Sequence, residues 1–152
     1  MFRGFSSVSL DSKGRVAIPS RYRDRLMVDA AGCLVQTLNP LDRSLWLYPL
    51  PDWELIEEKL ADLSDFDRQS RRAKQMMRGY ATDCQLDAHG RILIPAELRN
   101  YAQISKQAVI LGQGNKFEMW NKESWEEQRE HWLSQVGDEQ GEPAGALQSL
   151  SL

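Results

Sequence analysis

Two arginines carry the most specific chemical pattern in this chain of 152 residues. Each closes an Asp-x-x-Gly turn: Asp11-Ser12-Lys13-Gly14-Arg15 and Asp87-Ala88-His89-Gly90-Arg91. An aspartate at the head of such a turn accepts backbone N–H bonds, and the glycine takes the positive φ that closes it. The arginine leaves the turn as a planar, always-charged fork, a shape suited to a phosphate or to the edge of a guanine. Lys13 adds a point charge beside the first fork. The same residues can also be no more than a well-made turn in which Asp11 bridges to Arg15, since turns of this composition are abundant. Both readings hold together if the bridge braces a binding loop.

The turns sit inside a longer repeat. Leu10 to Arg23 and Leu86 to Arg99, 76 positions apart, agree at seven of fourteen positions, including the continuation Ile-Pro-x-x-x-Arg. Ordinary residue usage gives roughly one match in such a window. Further on, Leu45-Trp46-Leu47-Tyr48 corresponds to Phe117-Glu118-Met119-Trp120, and Asp52-Trp53-Glu54 to Ser124-Trp125-Glu126, at a spacing of 72. The chain is an internal duplication, and the repetition favours binding over a chance turn. Each copy has about fifty residues, too few to bury a generous core alone, so the copies must pack on each other or interlock.

These elements have to be positioned by short strands and helices. Phe5 to Leu10 and Arg15 to Ile18 read as the arms of a hairpin around the first turn, followed by a short helix from Ser20 to Val28. Cys33 to Leu38 and Ser44 to Tyr48 read as a second hairpin. Asp52 to Leu63 reads as a helix with Trp53, Ile56, Leu60 and Leu63 on one stripe, a surface that something must cover. The second copy repeats this from about Thr82: a strand, the Asp87 turn, Arg91 to Ile94, a helix from Pro95 to Tyr101, a hairpin of Ala108 to Leu111 with Lys116 to Trp120, and a helix from Ser124 to Val136. Asp65 to Tyr80 is an amphipathic helix with Arg68, Arg71, Arg72 and Arg78 on one side. The resulting division is a first repeat with its helix at 1–63, a connector helix at 64–80, a second repeat with its helix at 81–136, and an acidic tail at 137–152 that reads as disordered.

Composition excludes several classes. The hydrophobic fraction of 41% supports a real core. No apolar run is long enough to span a membrane, and Met1 to Ser6 lacks the apolar stretch of a secretory signal, so a cytoplasmic location is expected. Cys33 and Cys84 then read as reduced core thiols, and no metal-binding spacing involves them. The formal net charge is −3, but it is polarised. Residues 1–25 carry six basic side chains against Asp11 and Asp24, whereas residues 121–152 carry Lys122 and Arg129 against seven acids. One face could therefore hold an anion while the remainder repels it. No nucleophile–base pair or phosphate-cradling glycine loop is recognisable, His89 and His131 lack catalytic partners, and Gly112-x-Gly114 precedes no helix. No enzymatic activity, cofactor or metal is expected.

Taken with Leu47-Tyr48-Pro49 and Asn115-Lys116-Phe117-Glu118-Met119-Trp120, the two Asp-x-x-Gly-Arg turns make the chain resemble the MraZ family over about residues 1–135. That family is the bacterial regulator encoded at the head of the division and cell-wall gene cluster. The resemblance implies an α+β fold in which two tandem AbrB-like hairpin half-domains form a pseudo-symmetric swapped-hairpin β-barrel with flanking helices. It also implies ring-like homo-oligomers and sequence-specific binding of double-stranded promoter DNA, usually repressive on its own promoter. The motif arginines map onto Arg15 and Arg91, with His89 standing where the first loop has Lys13. The expected DNA-contacting set is Arg15, Arg91, Lys13, Ser12, Gly14, Arg21, Arg23, His89, Gly90 and Arg99, in a nucleoid-associated protein whose operator consists of direct repeats. The rival from another class is an oligomeric interaction scaffold that binds an acidic protein partner.

Overall fold

The computed structural model describes residues 1–137 together with Leu147, Ser149 and Leu150. From residue 138 on, and apart from those three, the expected acidic tail lies outside the described residues. In chain order the elements are β1 (Phe2–Ser9), β2 (Arg15–Ala17), α1 (Ser20–Ala30), β3 (Cys33–Leu38), β4 (Leu45–Pro49), α2 (Leu50–Ala61), α3 (Arg68–Gly79), β5 (Thr82–Gln85), β6 (Arg91–Leu93), α4 (Ala96–Ala102), β7 (Gln107–Gly114), β8 (Phe117–Asn121) and α5 (Lys122–Ser134). The second copy repeats the element order of the first, with α3 between them. The fold is α+β.

Strand pairing interleaves the copies. A six-stranded antiparallel sheet runs β1-β7-β8-β4-β3-β5, and β2 pairs with β6 in a separate two-stranded ribbon. Along its whole length β1 lies against β7, from Phe2 opposite Gly114 to Ser9 opposite Gln107. In the same way β5 lies against β3, with Gln85 opposite Cys33. Each copy's first strand is thus held by the second hairpin of the other copy. This corrects the reading of Phe5–Leu10 and Arg15–Ile18 as arms of one hairpin: Leu10 and Val16 share only an isolated bridge. The arm after the turn finds its apolar match in the duplicate instead, with Val16 directly opposite Ile92 and both buried.

The core sits between the copies. Val16, Ile18, Leu26, Leu34 and Leu47 of the first pack with Ile92, Ile94, Leu98, Phe117 and Met119 of the second. Phe117 meets Phe2 and Tyr22 at ring separations of 4.3 and 4.9 Å, and contacts of this kind contribute about 0.5–1.5 kcal/mol each beyond area burial. Strand β3 is buried on both faces. On its other side Val35 joins Tyr48, Trp53, Leu60 and Met77, with Ile56 and Ala81 packed alongside. The cover expected for the α2 stripe is therefore supplied within the chain, by β3, β4 and α3, and only Leu63, beyond the end of α2, is exposed. Asp67 caps α3 by accepting from the Ser70 N–H at 2.9 Å.

The outer edge of β1 is occupied by α1. Arg25 Nη1 donates to the Met1 carbonyl at 2.8 Å, the Tyr22 hydroxyl donates to the Arg3 carbonyl, and Arg21 Nη2 donates to the Phe5 carbonyl at 3.2 Å. Alternate carbonyls that would invite a foreign strand are thereby taken. Residues Met1–Lys122 form one unit and those from Glu123 onward another. Within the second, Trp125 and Trp132 of α5 meet edge to face at 5.7 Å. Among the described residues no helix is long and apolar enough to cross a membrane.

Candidate nucleic-acid interface

Both turns are built alike, and both carboxylates do the same work. In the first, the Asp11 N–H donates to the Arg15 carbonyl and the Gly14 N–H to the Asp11 carbonyl, at 2.9 and 3.0 Å. Asp11 Oδ1 accepts from the N–H groups of Lys13 and Arg15, and Oδ2 accepts from Arg15 Nε at 2.7 Å. In the second, Asp87 Oδ1 accepts from the N–H groups of His89 and Arg91, and Oδ2 from Arg91 Nε at 2.9 Å. The glycines close the turns at φ +83° and +72°. The backbone N–H of Arg15 is the chief cause that holds the Asp11 carboxyl below the usual carboxylate range. The Arg91 N–H does the same for Asp87, taking it to about 2. The turn-only reading and the brace reading are thus both present in the geometry.

Holding each arginine by Nε leaves its two terminal nitrogens without a protein acceptor among the described residues. The side chains are 32% and 31% exposed, so the two copies present their forks equally. They also present them together. On the ribbon Arg15 is opposite Leu93 and Arg91 is opposite Ala17. Directly opposed residues share a face and residues two apart along a strand do too, so both arginines lie on the face away from Val16 and Ile92. They are diagonal neighbours, about 7–8 Å apart. A two-stranded ribbon fits a major groove, and paired Nη donors match the O6/N7 edge of guanine or a phosphate.

The turns are clamped reciprocally. The Ile18 N–H donates to the Gly90 carbonyl and the Ile94 N–H to the Gly14 carbonyl, both at 2.9 Å. Arg23 Nε donates to the Ile18 carbonyl at 2.7 Å and Arg99 Nε to the Ile94 carbonyl at 3.0 Å. Each of these guanidiniums crosses the other copy's turn glycine, Arg23 over Gly90 and Arg99 over Gly14. Sequence reasoning placed Arg23 and Arg99 among groups reaching for DNA; the structure places them half-buried as braces between the copies. Arg21 lies on the β1 edge, bonded to Phe5 and Ser6 and stacked on the Tyr22 ring. Ser12, Lys13 and His89 are exposed at the turns, and the side chains of Lys13 and His89 make no bond among the described residues.

Sequence reasoning missed the buried Gln36 of β3, whose Nε2 donates to the Leu93 carbonyl at 2.7 Å and ties the sheet to the ribbon. A glutamine inside an apolar strand run was the available signal. Beside it Cys84 is a free thiol that burial pushes up to about 12, and Cys33 is free as well. Lys106 was missed too: its carbonyl accepts from the Leu10 N–H at 2.8 Å, which brings the link after α4 to the first turn. Among the described residues no cluster of three or more His, Cys, Asp or Glu side chains is placed to hold a metal ion.

The family profile described as "MraZ protein, putative antitoxin-like" matches residues 1–76 and again residues 77–140. Among similar proteins, the transcriptional regulator MraZ of Thioalkalivibrio sulfidiphilus is 49% identical over the full length of both chains. That of Halorhodospira halophila is 46% identical, again over all of both. That of Thiobacillus denitrificans is 51% identical over 88% of this chain and 90% of its own.

Proposed function

The chain belongs to the MraZ family, and from that premise we propose that it is a transcriptional regulator that binds DNA sequence-specifically and represses its own promoter and the division and cell-wall genes downstream. The relatives carry the name of a transcriptional regulator. The observation that carries the DNA reading is the diagonal placement of Arg15 and Arg91 on one exposed ribbon face, each with Nε braced and its Nη donors free. One ribbon entering the major groove offers two such forks, and Lys13 and His89 flank them. Regulation follows by occupancy: bound protein hinders the polymerase.

The same reading includes closure of the interleaved strands into a barrel, a ring-like homo-oligomer and a nucleoid-associated location. Neighbouring subunits of a ring present their forks in the same sense, so they read direct repeats about 10 base pairs apart, one helical turn. The rival scaffold reading has one observation in its favour, the exposed arginines Arg68, Arg71 and Arg72 on α3, which could meet an acidic protein. A gel shift on the DNA upstream of the protein's own gene, against random DNA of equal length, separates the two. Retardation of the upstream fragment at concentrations that leave random DNA free is expected. Equal affinity for both, or none, overturns the sequence-specific reading.

A further inference from the structure

The two forks match, but their surroundings do not. Beside the first turn runs a groove of about 560 Å³ lined by Ser12, Asn100, Ser105, Lys106 and Arg99, and by Asp11, whose carboxylate is engaged by its own turn and Arg15. Lys13 projects from the same turn. All of these except Arg99 are exposed, so the groove offers two hydroxyls, an amide and two ammonium groups, beside the one braced carboxylate, to whatever lies along it. Lys106 is fixed there through its backbone, because its carbonyl accepts from Leu10, the residue that leads into the turn.

The symmetry-related place beside the second turn lacks four of these groups. Leu86 leads into that turn, and its N–H donates to the Gly32 carbonyl at 2.9 Å, so Gly32 stands where the first turn has Lys106. Ala88 replaces Ser12 and His89 replaces Lys13 within the turn. Asp24, directly after the Arg23 brace, takes the position that Asn100 takes after Arg99. Two ammonium groups and a hydroxyl are gone, and an anion has been added.

We propose that the groove beside the first turn is a seat for the DNA phosphodiester backbone, that the second turn has no counterpart, and that this difference sets the direction in which each chain lies on DNA. The inference rests on the DNA-binding reading above. Two equal forks related by a pseudo-twofold would read a short site equally well in either direction. Serine hydroxyls and lysine ammoniums contact phosphate oxygens and fix register and orientation without reading bases. A seat on one flank alone breaks the tie, and every chain then points the same way along a series of repeats.

The test compares wild type, Lys106→Ala, Arg15→Ala and a charge control, Lys59→Ala on α2, by gel shift on the upstream DNA across a salt series. Ethylation interference then maps the phosphates that matter. Lys106→Ala should weaken binding to upstream and random DNA alike, and should reduce the log–log salt slope by about 0.9 per bound chain. Lys59→Ala should leave the slope unchanged. Wild type should show interference on one flank of each repeat, and Lys106→Ala should lose it. An unchanged slope for Lys106→Ala, or interference symmetric about each repeat, overturns the seat provided that Arg15→Ala still abolishes specific binding. If Arg15→Ala binds as well as wild type, the DNA reading itself has failed and the seat goes with it.

Discussion

Arg23 lies across Gly90 so closely that a Cβ built on the glycine would come within 2.4 Å of the arginine Nε. The same glycine has a φ of +72°, a conformation that L side chains rarely adopt. Contact and conformation act on one position, and that position carries the second binding turn.

Gly90→Ala should therefore destabilise the protein by about 1–3 kcal/mol, the usual cost of a residue held in such a backbone region. Gly79→Ala is the internal control: among the described residues nothing beyond its chain neighbours and its own helix backbone lies within 4 Å of a Cβ there, and at the end of α3 alanine is a better helix former than glycine. Thermal melts should show a lower Tm for the first and an unchanged or higher one for the second. Equal melting of both variants would remove the case for a strained turn.

Arg15→Ala should abolish specific DNA binding and leave the melt close to wild type, because among the described residues the side chain bonds only through Nε, to Asp11. A good base contact contributes about 1–3 kcal/mol per site, and the loss multiplies across subunits that bind together. Arg91→Ala should weaken binding less, since its turn carries His89 in place of Lys13. Specific binding retained in both variants would show that the forks are ornaments of the turn.

Acid should open the second turn late. The folded Asp87 carboxyl lies near 2, below the ordinary aspartate value of about 3.9. A depressed value means that the ionised form supports the fold: this support is complete above about pH 4 and is lost as pH falls through about 2. NMR titration of the Asp87 carboxyl, read together with the His89 and Arg91 amides, should give a midpoint near 2. A midpoint near 4 would mean that the braced geometry does not persist in solution.

Gln36→Leu should change stability by less than about 1 kcal/mol and yet loosen the ribbon. The substitution deletes the bond to the Leu93 carbonyl, but it also deletes a buried amide oxygen that has no hydrogen-bond partner among the described residues. A made bond contributes about 1 kcal/mol and an unmet buried acceptor costs a similar amount, so the two changes offset. Hydrogen exchange at Arg91–Leu93 should quicken while the β3–β4 amides keep their protection. Uniformly faster exchange would assign Gln36 to general packing.

The turns were legible in the sequence because their chemistry is local. Asp11 and Asp87 bond to residues two and four positions on, and no distant partner is needed to see why aspartate, glycine and arginine stand in that order. Strand positions were legible for the same reason, since alternation marks a strand. Alternation does not mark the strand's partner. Phe2–Ser9 pairs with the distant Gln107–Gly114, and the adjacent Arg15–Ile18 was the natural but wrong choice. Arg23 and Arg99 were placed among the DNA-contacting groups, and their role as braces was not legible for a related reason: what they cross belongs to the other copy. The clue was present, because Gly14/Gly90 and Arg23/Arg99 recur together, but it becomes geometry only once the copies are known to interleave.

That interleaving has an evolutionary consequence. A chain with one copy and the same strand exchange would close only as a pair of chains, with a stability tied to its concentration. Joining two copies end to end makes the encounter intramolecular, at an effective concentration on the order of millimolar. It also releases the halves from having to be identical. A symmetric pair of chains cannot alter one loop without altering both, whereas this chain keeps a lysine at 106 and a glycine at 32 in the same molecule. Two halves joined in one chain can differ, and a molecule whose halves differ has a head and a tail.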